Sequence, residues 1–185
     1  ELSEIALASR LSYFLWSSPP DKTLLKLANA GTLKSKLSHQ VTRMLSDSRS
    51  DRFVRHFVSR WLDLGNIGTM PPSEDFLEYY RDNLEVAMHA ETEMFFRHVL
   101  DNNLSLREFL DTDYSFLNRE LALHYGIEGI RGSKLRRVPL KNRRRGGLLG
   151  QGAVLTASAN GVDTSPIVRG IYVLEKLLGY TPPPP

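Results

Sequence analysis

Apolar residues recur at spacings of three and four along most of the chain, which is typical of helices that bury one face. Phe53, Phe57 and Trp61, for example, lie at a strict spacing of four. Only residues 134–140 alternate weakly, which predicts one short strand or an extended arm. The predicted helices cover residues 2–17, 21–30, 37–45, 53–61, 73–100, 106–110, 114–125, 147–157 and 165–178.

This order of elements predicts an all-α fold, a bundle-like domain of several helices with a smaller C-terminal helical subdomain. At most one or two short strands are expected. Ser165 and Pro166 are typical of an N-cap followed by a first helical residue, and Gly126 and Gly179 are typical helix ends.

Composition excludes several classes of site. The 185 residues are 41% hydrophobic and 24% charged, so the chain can build a core. There is no cysteine, which excludes disulfides, thiolate nucleophiles, iron–sulfur clusters and covalently attached haem within this sequence. No apolar run approaches the roughly 18 residues of a membrane span. The helical pattern is already under way at Glu1, so we expect the sequence to be a piece of a larger protein.

Positive charge is concentrated in one stretch, because the residues between Gly129 and Val162 include eight basic side chains and no acidic one. This basic segment follows Tyr125 and Gly126, and the change in character predicts a subdomain boundary there. The C-terminal part would carry a basic arm at 131–145 and end in a polyproline linker.

The long predicted helix contains one anomalous residue, Glu91, which falls on the apolar stripe between Met88 and Phe95. An unpaired buried carboxylate costs several kcal/mol, so it needs a cationic or hydrogen-bonding partner. Three interpretations stay open: a structural pair with an arginine or tyrosine, a functional carboxylate with a raised pKa, or a wrong helix register. Arg10, in an apolar helix, could be the partner or could extend to the surface. With His124, these two residues are the candidate catalytic residues.

Two further groups could bind ligands. Glu85, His89 and Glu93 share one helical face and could ligate a metal, although solvated helices show the same spacing. The run of arginines before Gly146 enters a predicted helix N-terminus, which could hold an anion, and close packing through small residues is the alternative. The anion-binding candidates are Arg143, Arg144, Arg145 and Arg169. We do not expect nucleic-acid binding, because no aromatic residue interleaves with these cations.

Four stretches are distinctive together: RLSYFLWSSPPD at 10–21, DYSFLNRELALHYGI at 113–127, RGGLLGQGAVLT at 145–156, and TSPIVRGIYVLEKLLG at 164–179. They resemble the large, mainly planctomycete, multidomain proteins in which several domains of unknown function are attached to a cytochrome c domain. The likeness covers nearly the whole chain and implies two consecutive helical domains, 1–110 and 111–185, of which the second is the smaller.

The resemblance implies a periplasmic or secreted parent protein, with c-type haem in another domain and none in this segment. Neighbouring domains, including the cytochrome c domain, would be the partners. It implies no reaction, so three hypotheses remain: a non-catalytic scaffold or docking unit, part of an oxidoreductase that passes electrons from an organic or carbohydrate substrate to the haem, or a polyanion-binding surface. The surroundings of Glu91 distinguish the first two, since a sealed carboxylate indicates architecture and an open cavity beside a histidine indicates a site.

Overall fold

Helices dominate the structure, a computed structural model that describes residues 2–67, 73, 83–141, 145–159 and 165–183. The helices are α1 (Glu4–Trp16), α2 (Lys22–Asn29), α3 (Leu37–Leu45), α4 (Asp51–Trp61), α5 (Leu84–Asp101), α6 (Arg119–His124), α7 (Gly152–Ala157) and α8 (Pro166–Lys176). Two short strands, β1 (Tyr114–Leu117) and β2 (Arg136–Pro139), pair antiparallel. The predicted all-α class with at most one or two short strands is confirmed. None of the helices within the described residues is long and apolar enough to cross a membrane.

Side-chain caps begin several of these helices. Asp21 accepts a hydrogen bond from the amide of Leu24 at 2.9 Å, and Ser165 accepts one from Val168 at 3.3 Å, with Pro166 as the first helical residue. Each cap satisfies an amide that the first helical turn leaves without a partner. The predicted start of the last helix is therefore confirmed.

The chain divides into two compact units, Glu1–Phe57 (unit 1) and Val58–Pro185 (unit 2), whereas the predicted boundary at residue 110 lies within unit 2. In unit 1, Trp16 is fully buried, and its indole Nε1 donates to the carbonyl oxygen of Met44 at 2.9 Å. The guanidinium of Arg49 lies 3.5 Å from the centre of the Trp16 ring. The core cluster is Ala8, Leu15, Trp16, Leu24, Ala28, Leu33 and Met44.

Unit 2 is built around α5, which contacts β1, α6 and α7. In the strand pair, Ser115 lies opposite Val138 and Leu117 lies opposite Arg136. The part of the basic arm at 136–139 is therefore a strand, as the alternation of residues 134–140 indicated. Elsewhere in unit 2, Trp61 Nε1 donates to the carbonyl of Lys176 at 2.6 Å.

Two predicted helices are wrong in their extent. Residues 114–125 form β1 and then the short helix α6, because Asn118 caps the amide of Leu121 at 2.9 Å and the preceding residues pair with β2. The helix predicted from residue 147 begins only at Gly152, after a 3₁₀ turn at Leu148–Gly150. Gly147 has a φ of +69°, which α-helical residues do not adopt.

The predicted helix over 73–100 is only partly covered by the structure. Its C-terminal part is confirmed as α5, which ends at Asp101. Residues 74–82 lie outside the described residues, as does the end of the predicted polyproline linker at 184–185.

Candidate functional site

The side chain of Glu91 is completely buried in unit 2, with an exposure of 0%. Both of its carboxylate oxygens accept a hydrogen bond from a hydroxyl group. Ser115 Oγ donates to Oε1 at 2.5 Å, and the phenol of Tyr125 donates to Oε2 at 2.6 Å. Both distances are at the short end of the range for hydrogen bonds from a hydroxyl group to an oxygen. We call Glu91, Ser115, Tyr125 and Gly152 the Glu91 cluster.

Local structure places each donor. Ser115 is the second residue of β1, and pairing of β1 with β2 holds that strand beside α5. Tyr125 follows the last residue of α6, and its amide still donates to the carbonyl of Leu121 at 3.0 Å. Gly126 then turns the chain away with a φ of +68°, a value that glycine adopts without strain. Tyr125 is thereby fixed at a helix end facing Glu91.

The amide of Gly152 adds a third link. It donates to the hydroxyl oxygen of Tyr125 at 2.6 Å, so this hydroxyl accepts from α7 while it donates to Glu91 on α5. A Cβ atom at Gly152 would lie 2.8 Å from both Tyr125 Oη and Met88 Cγ. The close approach of Met88 and Tyr125 therefore leaves no room for a Cβ atom at this position.

Burial dominates the electrostatics of the cluster. It raises the pKa of Glu91 to about 7, against the opposing effects of the Ser115 and Tyr125 hydrogen bonds and the charge of Arg145. Burial and the neighbouring Glu91 raise the pKa of Tyr125 well above its usual value. The Arg145 guanidinium lies 4.3 Å from the centre of the Tyr125 ring, so it is a cation–π partner of the phenol, and its charge also acts on Glu91.

This geometry can hold a proton but offers no approach to a substrate. Both oxygens of Glu91 are used within the protein, and no part of the side chain reaches solvent. The cluster joins four segments of unit 2: α5, β1, the end of α6 and the start of α7. Its chemistry is that of a buried polar network that specifies packing.

Two protein-family models match the chain. Residues 2–127 match PSD4, described as "Protein of unknown function (DUF1592)". The chain belongs to the PSD4 family. Residues 145–185 match a second family, PSCyt3, "Protein of unknown function (DUF1588)", so the predicted succession of two planctomycete, cytochrome-c-linked domains of unknown function is confirmed. Comparison with curated proteins found no match, and comparison with solved structures found none either.

The other catalytic candidates of this PSD4 chain are not among the hydrogen-bond donors to Glu91. Arg10 is an exposed residue of α1 in unit 1, and the donors to Glu91 are Ser115 and Tyr125. Of the pairs considered from sequence, the structure shows the one with tyrosine. His124 is exposed at the end of α6, with its ring centre 5.8 Å from that of Tyr125.

The predicted ligand-binding groups are not assembled in the part of the chain that the structure describes. In that part, no three acidic or histidine side chains converge on a possible metal position, so Glu85, His89 and Glu93 remain neighbours on one helix. Arg143 and Arg144 lie outside the described residues. Arg145 Nη1 donates to the carbonyl of Gly150 at 3.3 Å, and Arg169 Nε donates to Ser158 Oγ at 3.3 Å.

The glycines after Arg145 serve close packing, which was the alternative to an anion site. A Cβ at Gly146 would collide with the carbonyl oxygen of Thr112, and one at Gly147 would lie 2.6 Å from that of Leu110. The amide of Gly147 also donates to Thr112 Oγ1 at 3.1 Å. Backbone therefore packs directly on backbone here.

Sequence reasoning did not identify Ser115 or Gly152 as members of the Glu91 cluster. Ser115 lies within residues 114–125, which the sequence analysis assigned to a helix. One signal was present: a single predicted strand at 134–140 needs a partner, and YSFL at 114–117 is a nearby run rich in aromatic and apolar residues.

Proposed function

We propose that this PSD4 chain is a non-catalytic helical module, a scaffold or docking unit of an extracytoplasmic, cytochrome-c-linked multidomain protein. The observation that carries the proposal is the enclosure of Glu91. The names of the two matched families support the link to cytochrome c. Because the sequence has no cysteine, covalently bound haem would belong to another domain of the parent protein.

A catalytic carboxylate has to come within hydrogen-bonding distance of its substrate. Glu91 has 0% exposure, and its two oxygens already accept from Ser115 and Tyr125. A raised pKa by itself is also what a buried structural carboxylate shows. The cluster is therefore best explained as the group that fixes α5, β1 and α7 relative to each other.

The docking role is supported by apolar side chains that α8 leaves exposed. Ile167 is 76% exposed, and Ile171, one turn further on, is 41% exposed. Leu178, just beyond the helix, is 68% exposed. Apolar side chains gathered on one element are typical of an interaction surface. We assign this surface, the α8 face, to a neighbouring domain of the same polypeptide.

Carboxyl labelling tests the enclosure of Glu91. The chain is treated with a carbodiimide and an amine nucleophile at pH 6, and labelling of each carboxylate is followed by mass spectrometry. Glu128, which is exposed, is the internal control. We expect Glu91 to react only at the rate of global unfolding, with an acceleration by urea that Glu128 does not show. Labelling of Glu91 in native protein within tenfold of Glu128 would reveal an open site and would favour the oxidoreductase hypothesis.

Variants of the parent polypeptide test the docking role. Ile167→Ser with Leu178→Ser alters the α8 face, and Leu106→Ser removes an equally exposed leucine elsewhere in unit 2. We expect the first variant to increase the radius of gyration measured by X-ray scattering and to lose cross-links between domains. The Leu106 control should match the parent. Unchanged scattering and cross-links in the α8 variant would refute docking through this face.

A further inference from the structure

Unit 2 carries a group of exposed cations on its basic arm. In the described part of the arm they are Arg131, Lys134, Arg136, Arg137 and Lys141. None of them is among the four arginines that the sequence predicted as anion-binding candidates. The same stretch contains no acidic residue from Gly129 to Val162. The arm is therefore a candidate for an interaction governed by charge.

Backbone contacts bring a further cation to the first half of the arm. The amide of Arg119, at the start of α6, donates to the carbonyl of Gly132 at 3.0 Å. Two residues before Arg119, Leu117 lies opposite Arg136 in the strand pair. The loop that precedes β2 is thus held against the start of α6. We call the four exposed cations on these two segments the basic cluster: Arg119, Arg131, Lys134 and Arg136.

Carboxylates do not neutralise the basic cluster. Arg136 Nη1 donates to the carbonyl of Arg131 at 2.7 Å, which ties these two residues together and leaves both charges in place. Arg119 Nη1 lies 3.9 Å from Glu120 Oε1, and the Arg119 side chain is 60% exposed, so this pair is loose and solvated. No other ion pair reaches the cluster within the part of the chain that the structure describes. Even with the exposed Glu128 nearby in sequence, positive charge is in excess here.

The side chains of the basic cluster indicate the chemistry of a ligand. Three of the four are arginines, whose planar guanidinium groups bind sulfate, phosphate or carboxylate groups through two parallel hydrogen bonds. Several such cations on neighbouring segments favour a polymer that carries repeated anionic groups over a single small anion.

The lack of exposed apolar groups narrows the class of polymer. Among the described residues, no large apolar side chain is exposed between Leu123 and Leu149, whereas protein interfaces usually centre on aromatic or other apolar side chains. The aromatic residues of the adjoining strand, Tyr114 and Phe116, are buried and give nucleic-acid bases no stacking surface. Recognition by charge alone suits an acidic polysaccharide, whose sugar hydroxyls can stay in water.

We propose that the basic cluster binds a linear polysaccharide that carries sulfate or carboxylate groups. The anionic groups pair with the guanidinium groups of Arg119, Arg131 and Arg136 and with the ammonium group of Lys134. This site is separate from the Glu91 cluster and from the α8 face, so it does not depend on the scaffold role.

Five probes of matched length test the proposal: an oligogalacturonate, a sulfated dextran oligosaccharide, neutral dextran, polyglutamate and an oligothymidylate. Binding to the chain is measured by calorimetry at pH 7 and at rising salt concentrations. We expect at least one of the two acidic oligosaccharides to bind, with an affinity that falls linearly with the logarithm of salt concentration, and neutral dextran not to bind. The one that binds more tightly identifies the preferred group. No binding of either at low salt would overturn the proposal, as would binding of polyglutamate or the oligothymidylate that equals or exceeds theirs.

Variants with equal loss of charge locate the site. Arg131→Gln with Arg136→Gln should weaken the bound oligosaccharide at least tenfold and reduce the salt dependence of its affinity. Arg10→Gln with Lys36→Gln removes two exposed cations from unit 1 and should change neither. Lys134→Gln, whose side chain makes no hydrogen bond within the described residues, should weaken binding with no change in the thermal unfolding temperature. Undiminished binding in the folded double variant, or an equal loss in the unit 1 control, would contradict the assignment.

Discussion

The hydroxyl of Tyr125 donates to Glu91 Oε2 at 2.6 Å while it accepts, at the same distance, from the amide of Gly152. One atom thus satisfies a buried acceptor on one helix and a buried donor at the start of another. Removal of that atom would leave both groups without a partner. The first prediction follows from this double role.

Tyr125→Phe should destabilise unit 2 by roughly 3 kcal/mol, because it leaves a buried carboxylate oxygen and a buried amide unsatisfied. The measurement is urea unfolding at pH 7, followed by circular dichroism. Tyr180→Phe is the matched control, since Tyr180 is 55% exposed, and it should change stability by less than about 0.5 kcal/mol. Equal effects of the two substitutions would show that the hydrogen bonds of Tyr125 contribute nothing measurable.

Glu91 should make stability fall as pH rises. Its pKa is raised from 4.5 to about 7 in the folded chain, so between these values the folded state holds a proton that the unfolded state has lost. The contribution is fully present below pH 4.5 and is lost by about pH 7, a decrease of roughly 3 kcal/mol.

Glu91→Gln isolates that titration, because every other ionisable group is retained. Unfolding free energies of both proteins are measured from pH 4 to 8. The stability of the parent relative to the variant should decline through this window, whatever the constant offset between them. The pKa of Asp47 is lowered to about 2 by the neighbouring Arg49, and because both proteins contain this pair, its titration cancels in the difference between them. A pH-independent difference would contradict the assignment of the buried proton to Glu91.

Gly152→Ala and Gly170→Ala should have opposite signs. A Cβ at Gly152 meets Met88 and the Tyr125 hydroxyl at 2.8 Å, and that hydroxyl is held by its own hydrogen bonds, so we expect a loss of about 1–3 kcal/mol. A Cβ at Gly170, within α8, meets nothing within 4 Å, so alanine should stabilise by about 0.5–1 kcal/mol. Thermal unfolding measures both, and a stabilising alanine at Gly152 would show that the close approach is absent.

In unit 1, Arg49→Met should lower the stability of the fold measurably. The guanidinium lies 3.5 Å from the centre of the Trp16 ring and also donates to both oxygens of Asp47, at 2.9 and 2.7 Å. Methionine keeps much of the apolar stem and removes both interactions. Arg10→Met, at an exposed position of α1, is the control and should be nearly neutral. Urea unfolding of the two variants decides the matter, and a neutral Arg49→Met would refute a stabilising stack on Trp16.

Local signals in the sequence were sufficient for most helices and for the burial of Glu91. Spacing of apolar residues and a capping serine with a following proline act over a few residues, so they can be read directly, as at Ser165 and Pro166. The position of Glu91 between Met88 and Phe95 was equally local. These features are specified by neighbours in the chain.

The hydrogen-bond partners of Glu91 could not be predicted from residues near it in the chain. Ser115 and Tyr125 are 24 and 34 residues away, and their approach depends on the pairing of β1 with β2. A four-residue strand next to a six-residue helix contains too few residues to show either period, which is why 114–125 read as one helix.

The hydrogen bond from Gly152 to Tyr125 crosses the border between the two family matches. Tyr125 belongs to the segment that matches PSD4, and Gly152 belongs to the one that matches PSCyt3. A protein cut between residues 127 and 145 would lose the amide that Tyr125 accepts from and would uncover the face of Met88 that Gly152 packs against. Unit 2 therefore contains residues of both family matches, and a replacement for the PSCyt3 segment would have to supply the same backbone amide and a glycine at the same position.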